Sequence, residues 1–318
     1  MDRRNFLGGL VAAGGLAVVN RAEASPLFKL VNSDAAAGKK AKGRFDEDLV
    51  VFISDIHCNP DSYQPAYLKK VVDDILAMKP LPANVIALGD LAFQTGQPYE
   101  YACLKKVIAP IEEAGIKLTM AMGNHDRREE FGEAFPHLAS KSLLPNRYVY
   151  KVETPKADFI VLDSLQQGED KTKWITPGFI DENQKEWLRK TLSGYVDKPV
   201  FVCTHHPITE TQISDILLAC PCCSGYIYGH NHRFRKDWML KSYSDRRIIR
   251  SLCIPSTGHW GDIGHVELRL EDDKAVATLM ERDFFFPAPA ASPEEAPALW
   301  REIAADQKGA SCNFSYCR

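Results

Sequence analysis

Short apolar runs, each closed by a polar turn, mark out this chain. Residues 49–53 are apolar without interruption, the pattern of a buried strand, and the run leads to Asp55. Leu68, Val71, Val72, Ile75 and Leu76 then recur at helical spacing. A second buried run, 85–88, ends at Gly89-Asp90. A helix is predicted from about 98 to 114, followed by a strand over 117–122 that delivers Gly123-Asn124. Strand, helix and strand in alternation predict a mostly parallel inner sheet. In the second half, 148–152 and 159–163 read as the two strands of a hairpin. Asp181 and Gln184 have the spacing of a capping box for a helix that buries Trp187, Leu188 and Leu192. Strands over 200–203 and 226–228 end at His205 and His230, and three β-rich stretches follow near 247–253, 264–270 and 275–280. Beyond Phe286 the chain turns rich in Pro, Ala and Glu, then closes with a short helix containing Trp300 and a Cys-bearing end.

The turns that close these runs share one chemistry. They are Asp55-Ile56-His57, Gly89-Asp90, Gly123-Asn124-His125-Asp126, His205-His206-Pro207 and Gly229-His230-Asn231-His232. One Asp-x-His or His-x-His pair is weak evidence, but five blocks at strand ends converge on one rim of a sheet, where α/β proteins bind ligands. Asp, Asn and His supply the mixed oxygen and nitrogen donors that suit borderline and hard divalent ions. Asp55, His57, Asp90 and His232 can surround one ion; Asp90, Asn124, His205 and His230 can surround a second, with Asp90 bridging. Two divalent ions about 3.5–4 Å apart bind a phosphoryl oxygen and hold a hydroxide for in-line attack. Manganese, iron and zinc all fit such donors. His125, outside both sets, is the candidate to meet the phosphoryl group or protonate the leaving oxygen, with Asp126 orienting it.

Composition narrows the partner. The 318 residues are 45% hydrophobic and 25% charged, with a formal net charge of −3 and no basic stripe, so a small phosphorylated substrate is expected and nucleic acid is not. At the amino end, Arg3-Arg4 precede a weakly apolar run over 7–19 and the small-x-small site Ala22-Glu23-Ala24. This predicts a twin-arginine signal over 1–24, delivery of the folded protein by the twin-arginine machinery, and a periplasmic or other extracytoplasmic location. The apolar run is too short and too rich in Gly and Ala for stable membrane insertion. A linker over 25–44, a catalytic domain over 45–285 and an extension over 286–318 follow. Among nine cysteines, Cys103, Cys203 and Cys253 read as small buried side chains, whereas Cys312 and Cys317 could pair with each other or with Cys220, Cys222 and Cys223.

With all five blocks intact over residues 48–282, the chain resembles the calcineurin-like metallophosphoesterase superfamily, whose pattern is D-x-H, G-D, G-N-H-[DE], H and G-H-x-H. The resemblance implies an α/β fold in four layers, α-β-β-α, with two mixed sheets between helices, and a metal-dependent phosphoric ester hydrolase. Asp55-Ile56-His57 after Ser54, Asp126-Arg127, Leu162-Asp163-Ser164 and Thr204-His205-His206-Pro207 look most like the class III cyclic-nucleotide phosphodiesterases and the related glycerophosphodiesterases. By that likeness His205 is the ligand of its pair, His206 lies just outside the metal shell, and His206 and Arg127 contact substrate; Arg127 also reads as the start of a solvated helix. Purple acid phosphatases carry a tyrosine ligand where this chain has Phe93, which cannot ligate. Cys58, where relatives carry glycine, is read as packing in preference to ligating a soft ion. Within this likeness a phosphodiesterase leads, a phosphomonoesterase or nucleotidase is the alternative, and a metal-poor binding protein on the same fold is disfavoured by the complete donor set. The segments 165–180 and 255–263 are expected to shape the choice.

Overall fold

The computed structural model describes residues 44–242, 246–285 and 309–316; the expected signal segment, the expected linker up to residue 43, the helix predicted around Trp300, and Cys317 lie outside the described residues. In chain order the elements are β1 (Phe45–Ile53), α1 (Gln64–Ala77), β2 (Leu81–Leu88), α2 (Pro98–Glu113), β3 (Lys117–Ala121), α3 (Arg128–Ala134), α4 (Pro136–Ala139), β4 (Tyr150–Glu153), β5 (Asp158–Val161) and α5 (Glu182–Ser193). They continue as β6 (Val200–Cys203), α6 (Ile208–Thr211), α7 (Ser214–Ala219), β7 (Cys223–Tyr228), β8 (Arg235–Lys241), β9 (Ile248–Cys253), β10 (Gly261–Leu270), β11 (Lys274–Phe285) and β12 (Ser311–Ser315). Two six-stranded mixed sheets result, in the orders β12-β11-β10-β1-β2-β3 and β4-β5-β6-β7-β9-β8.

Burial on both faces explains the uninterrupted apolar runs. In β1, Val51 and Ile53 point toward α1 and α2, while Val50 and Phe52 point between the sheets. In β6, Phe201 and Cys203 face that same inner layer, and Val200 and Val202 face α5 and α7. The layers are therefore helix, sheet, sheet, helix. Among the described residues no helix is long and apolar enough to cross a membrane.

The parallel strands bring their carboxyl ends to one place. β1, β2 and β3 run parallel, as do β5, β6, β7 and β9. Asp55, Asp90, His205 and His230 each stand two residues past the last residue of a strand, and Asn124 three past β3.

Four features depart from the sequence reading. Residues 311–315, assigned to an extension, form β12 and pair antiparallel with β11, so the catalytic fold does not end at 285. Cys312 and Phe314 on that strand enter the core between the sheets. Cys312 lies in the inner layer between the sheets, whereas Cys220, Cys222 and Cys223 lie under α5 and α7, so a Cys312 bridge to that cluster is absent. Strand β8, polar in sequence, was not expected; it lies at a sheet edge, where charged side chains are at home. Only half of the capping box at α5 forms. The Asp181 carboxylate accepts from the Gln184 backbone, but the buried Gln184 amide instead binds the backbone N–H and carbonyl of Asp163.

Candidate functional site

Strain is concentrated in the turns past the strands. Eight described non-glycine residues have positive φ, and five of them are Asp55 (50°), His57 (46°), Asp90 (47°), His230 (70°) and His232 (55°). Such left-handed backbone costs about 1–3 kcal/mol per residue and persists only where surrounding structure imposes it. Here the turns grip one another: Asp55 N–H donates to Gly89 O (3.1 Å), His57 N–H to Asp90 O (2.8 Å) and Gly229 N–H to His205 O (3.0 Å). Two glycines permit the approach. A Cβ on Gly123 would lie 2.2 Å from Asp90 N, and one on Gly229 would lie 1.9 Å from Ser54 Oγ.

The side chains meet in a buried cluster. Asp90 Oδ2 lies 3.4 Å from His57 Nε2 and 3.2 Å from His205 Nε2. Asp55 Oδ1 lies 3.2 Å from His232 Nε2, and Asn124 Oδ1 and His230 Nδ1 each lie 3.2 Å from His205 Nε2. Four overlapping trios have donor atoms within 4.8 Å of one another: Asp55/His57/His232, Asp55/Asp90/His205, His57/Asp90/His125 and His205/His206/His230. The structure thus brings all seven sequence-proposed ligands together.

The outward-facing ring nitrogens set the tautomers. His57 Nδ1 donates to Phe93 O (3.0 Å), His205 Nδ1 to Leu88 O (2.7 Å) and His232 Nδ1 to Trp260 O (3.1 Å). A carbonyl can only accept, so in each neutral ring the Nε2 lone pair is turned to the cluster, as a metal requires. His57 Nε2 is buried without a hydrogen-bond partner, which is costly unless something binds it. Burial drives His57 well below the ordinary histidine range, despite the Asp90 charge. Burial and the neighbouring His205 also lower His230. Asp90 and Asp55 go the other way: burial opposes ionisation, but the surrounding histidines hold Asp90 well below the usual carboxylate value and Asp55 at about 2. Two ionised carboxylates among several imidazoles, with the buried His57 nitrogen left over, fit divalent cations.

His205 responds differently. Burial would lower it, but Asp90 and then Asp55 outweigh that and raise it from 6.5 to about 9. In the metal-free protein this pairing stabilises the fold fully below about 6.5 and is lost as pH rises through about 9. A metal must displace that proton. Manganese binding at pH 7.5 is therefore expected to release about one proton from this residue. Titration calorimetry in buffers of differing ionisation heat measures the release, and metal uptake with no proton exchange would contradict it.

The expected helpers are placed unevenly. His125 joins the cluster, its backbone N–H on Asp90 Oδ1 (2.8 Å) and its Nδ1 donating to Gln94 O (2.9 Å). Asp126 does not orient that ring, contrary to the sequence reading. Its buried carboxylate accepts from the backbone N–H of Leu91, Ala92 (3.0 Å) and Gly123 (2.9 Å) and from Tyr101 OH (3.0 Å), tying the Asp90 turn to the Asn124 turn. Burial and the Asp90 charge raise Asp126 to about 7. Arg127 is not a solvated residue. It is buried, and its guanidinium donates to the carbonyls of Thr95, Gly168, Asp170 (2.7 Å) and Lys173, clamping the 168–173 loop. His206 is buried against the His205–His230 pair, its Nδ1 2.8 Å from Ser164 Oγ and its Nε2 without a partner. Cys58 packs in the core beneath α1 and α2, and burial pushes its thiol up, away from the thiolate a metal would need.

Three aromatic residues were missed. The His259 ring lies 4.3 Å from that of His57, with Nδ1 3.1 Å from Gln64 Nε2. Trp260 stacks on His232 at 4.0 Å, and Trp174 stacks on His125 at 4.7 Å. Both tryptophans lie in segments expected to shape substrate choice, which was the one available signal.

Fold and donor set together define a metal-dependent phosphoesterase scaffold, and the comparisons agree: the chain belongs to the calcineurin-like phosphoesterase family, whose model matches residues 49–234. It is a metal-dependent phosphoester hydrolase. Its relatives include the glycerophosphodiester phosphodiesterase GpdQ of Enterobacter lignolyticus, 26% identical over 70% of this chain and 81% of that one. A probable cyclic nucleotide phosphodiesterase of Rhodopseudomonas palustris is 32% identical over 41% of this chain and 44% of the relative. Among solved structures, a dimetal phosphatase from Danio rerio superposes with a TM-score of 0.57 at 13% identity, covering 74% of this chain and 95% of that chain. PhoD follows with a TM-score of 0.52 at 12% identity, covering 77% and 68%. These two likenesses concern the fold alone.

Proposed function

We propose that this enzyme hydrolyses a small phosphodiester using two divalent ions, drawn from manganese, iron and zinc. The observation that carries the reading is Asp90 Oδ2, which stands between His57 Nε2 and His205 Nε2 at 3.4 and 3.2 Å. One carboxylate so placed can serve both donor sets. Asp55, His57 and His232 would complete the first set; Asn124, His205 and His230 would complete the second. When bound, the ions supply Lewis-acid charge and an activated water for attack at phosphorus. The chain's own residues do the rest. His125 protonates the leaving oxygen from Nε2 while Gln94 O holds its Nδ1 proton. His206 is oriented by Ser164 and contacts the phosphate. Asp126 holds the two ligand turns in register and takes no part in proton transfer.

The diester preference draws on the two named phosphodiesterases among the relatives. Metal-reconstituted protein assayed against bis-para-nitrophenyl phosphate, para-nitrophenyl phosphate, cyclic nucleotides and glycerophosphodiesters tests it. Higher kcat/KM on the diesters is expected; consistent preference for the monoester would overturn the reading in favour of a phosphomonoesterase.

We infer also that the enzyme is exported folded by the twin-arginine route to the periplasm or another extracytoplasmic space, with Ser25 as the mature amino terminus. Arg3-Arg4 and Ala22-Glu23-Ala24 support this. Replacing both arginines by lysine is expected to hold the precursor in the cytoplasm on fractionation. Undiminished export of that variant would instead point to the general secretory route or a retained anchor.

A further inference from the structure

We propose that Trp174 sets the substrate preference of this site by stacking a planar aromatic ester group attached to the phosphate, an inference that rests on the phosphodiesterase reading above. The indole stacks on the His125 imidazole with centroids 4.7 Å apart and planes 25° apart. The His125 ring also meets that of His57 edge-on at 4.7 Å. Trp174 therefore stands one ring away from a candidate metal ligand. It is nonetheless 48% exposed, so only part of its surface is covered by the histidine.

The loop does not need this indole for its own fold. Arg127 fastens it through the carbonyls of Gly168, Asp170 and Lys173. Further along, Gly178 N–H donates to Glu210 (2.8 Å) and Phe179 N–H to Ser164 O (2.9 Å). At Gly178 the backbone lies so close to His206 that a Cβ there would meet its ring at 2.2 Å. The same loop thus touches His206 at one end of the histidine cluster and His125 near the other. If His125 protonates the leaving oxygen, the group borne by that oxygen emerges beside Trp174. A flat aromatic group can stack there, with the large rigid contact that indole offers. A small alkyl group or polyol leaves most of that surface wet.

Phenylphosphonate and methylphosphonate test this without turnover, since neither presents an ester to cleave. Calorimetric titration into manganese-reconstituted wild-type protein is expected to show phenylphosphonate bound roughly tenfold more tightly, the scale of one aromatic stack. Trp174→Ala should bring the two affinities to near equality, whereas Trp174→Phe should keep most of the preference. Metal content of both variants is expected to match the wild type. Equal affinities in the wild type, or an undiminished preference in Trp174→Ala, would overturn the proposal. Equal weakening of both ligands in Trp174→Ala would also overturn it, because the indole would then only hold the His125 ring. A wild type that keeps the phenyl preference but hydrolyses no diester would uphold the aromatic contact and sink the phosphodiesterase reading instead.

Discussion

Asp90→Ala is expected to empty the site of metal and end hydrolysis together. The carboxylate faces His57 Nε2 at 3.4 Å and His205 Nε2 at 3.2 Å, and its other oxygen accepts the His125 backbone N–H at 2.8 Å. Its removal takes a donor from both proposed metal sets and one of the two buried negative charges offsetting the cations. Outer partners of metal ligands cost about 10–100-fold in affinity when removed, and loss of a shared ligand should exceed that range. Asp90→Ala also withdraws the charge that raises His205, so the proton released on residual metal binding should diminish. Elemental analysis after reconstitution and dialysis, paired with turnover of bis-para-nitrophenyl phosphate, reads both effects. Wild-type metal content in this variant would remove Asp90 from the bridging role.

His125→Ala is expected to behave in the opposite way, keeping its metal while kcat falls roughly 10²–10⁴-fold, the range of a positioned general acid or base. Its Nδ1 is committed to Gln94 O, its face is covered by Trp174, and Asp90 holds its backbone. The ring is therefore fixed in place without being one of the seven proposed ligands. Leaving groups that depart readily need less protonation, so the loss should shrink from an alkyl ester to para-nitrophenyl. His125 also falls within 4.8 Å of His57 and Asp90 donor atoms, close enough to bind an ion itself. The metal analysis separates the two roles. A His125→Ala protein stripped of metal, or one slowed equally for good and poor leaving groups, would end its assignment as the acid.

The candidate ligand set was readable because its placement follows a local rule. Each parallel strand ends in a short turn, and a residue two positions past the strand is carried to the rim whatever the rest of the chain does. Asp55, Asp90, His205 and His230 obey that rule. The strands themselves were visible because burial on both faces forces unbroken apolar runs such as 49–53 and 200–203. A short edge strand gives a weaker signal. Ser311–Ser315 alternates exposed and buried residues over five positions, and the span that precedes it in sequence offers no pattern to connect it with β11.

What sequence adjacency suggested, and packing reversed, was the work of Asp126. Asp126 is next to His125 in the chain, yet its carboxylate turns inward to backbone donors at Leu91 and Ala92, 35 and 34 residues away. Arg127 turns to carbonyls 32 to 46 residues distant. Both choices follow from burial: a carboxylate or guanidinium taken out of water must find partners, and unpaired backbone groups in tight turns supply them. His259, Trp260 and Trp174 reach the site in the same through-space manner, on loops whose course no periodicity records. The sequence by itself thus determined the alternating α/β elements, their four layers through the family resemblance, and the candidate metal donors, since strand pattern and nearest turns place them. Tertiary structure alone decided which neighbours hold those donors, which rings wall the site, and where the final strand closes the sheet, because each depends on contacts between segments far apart in the chain.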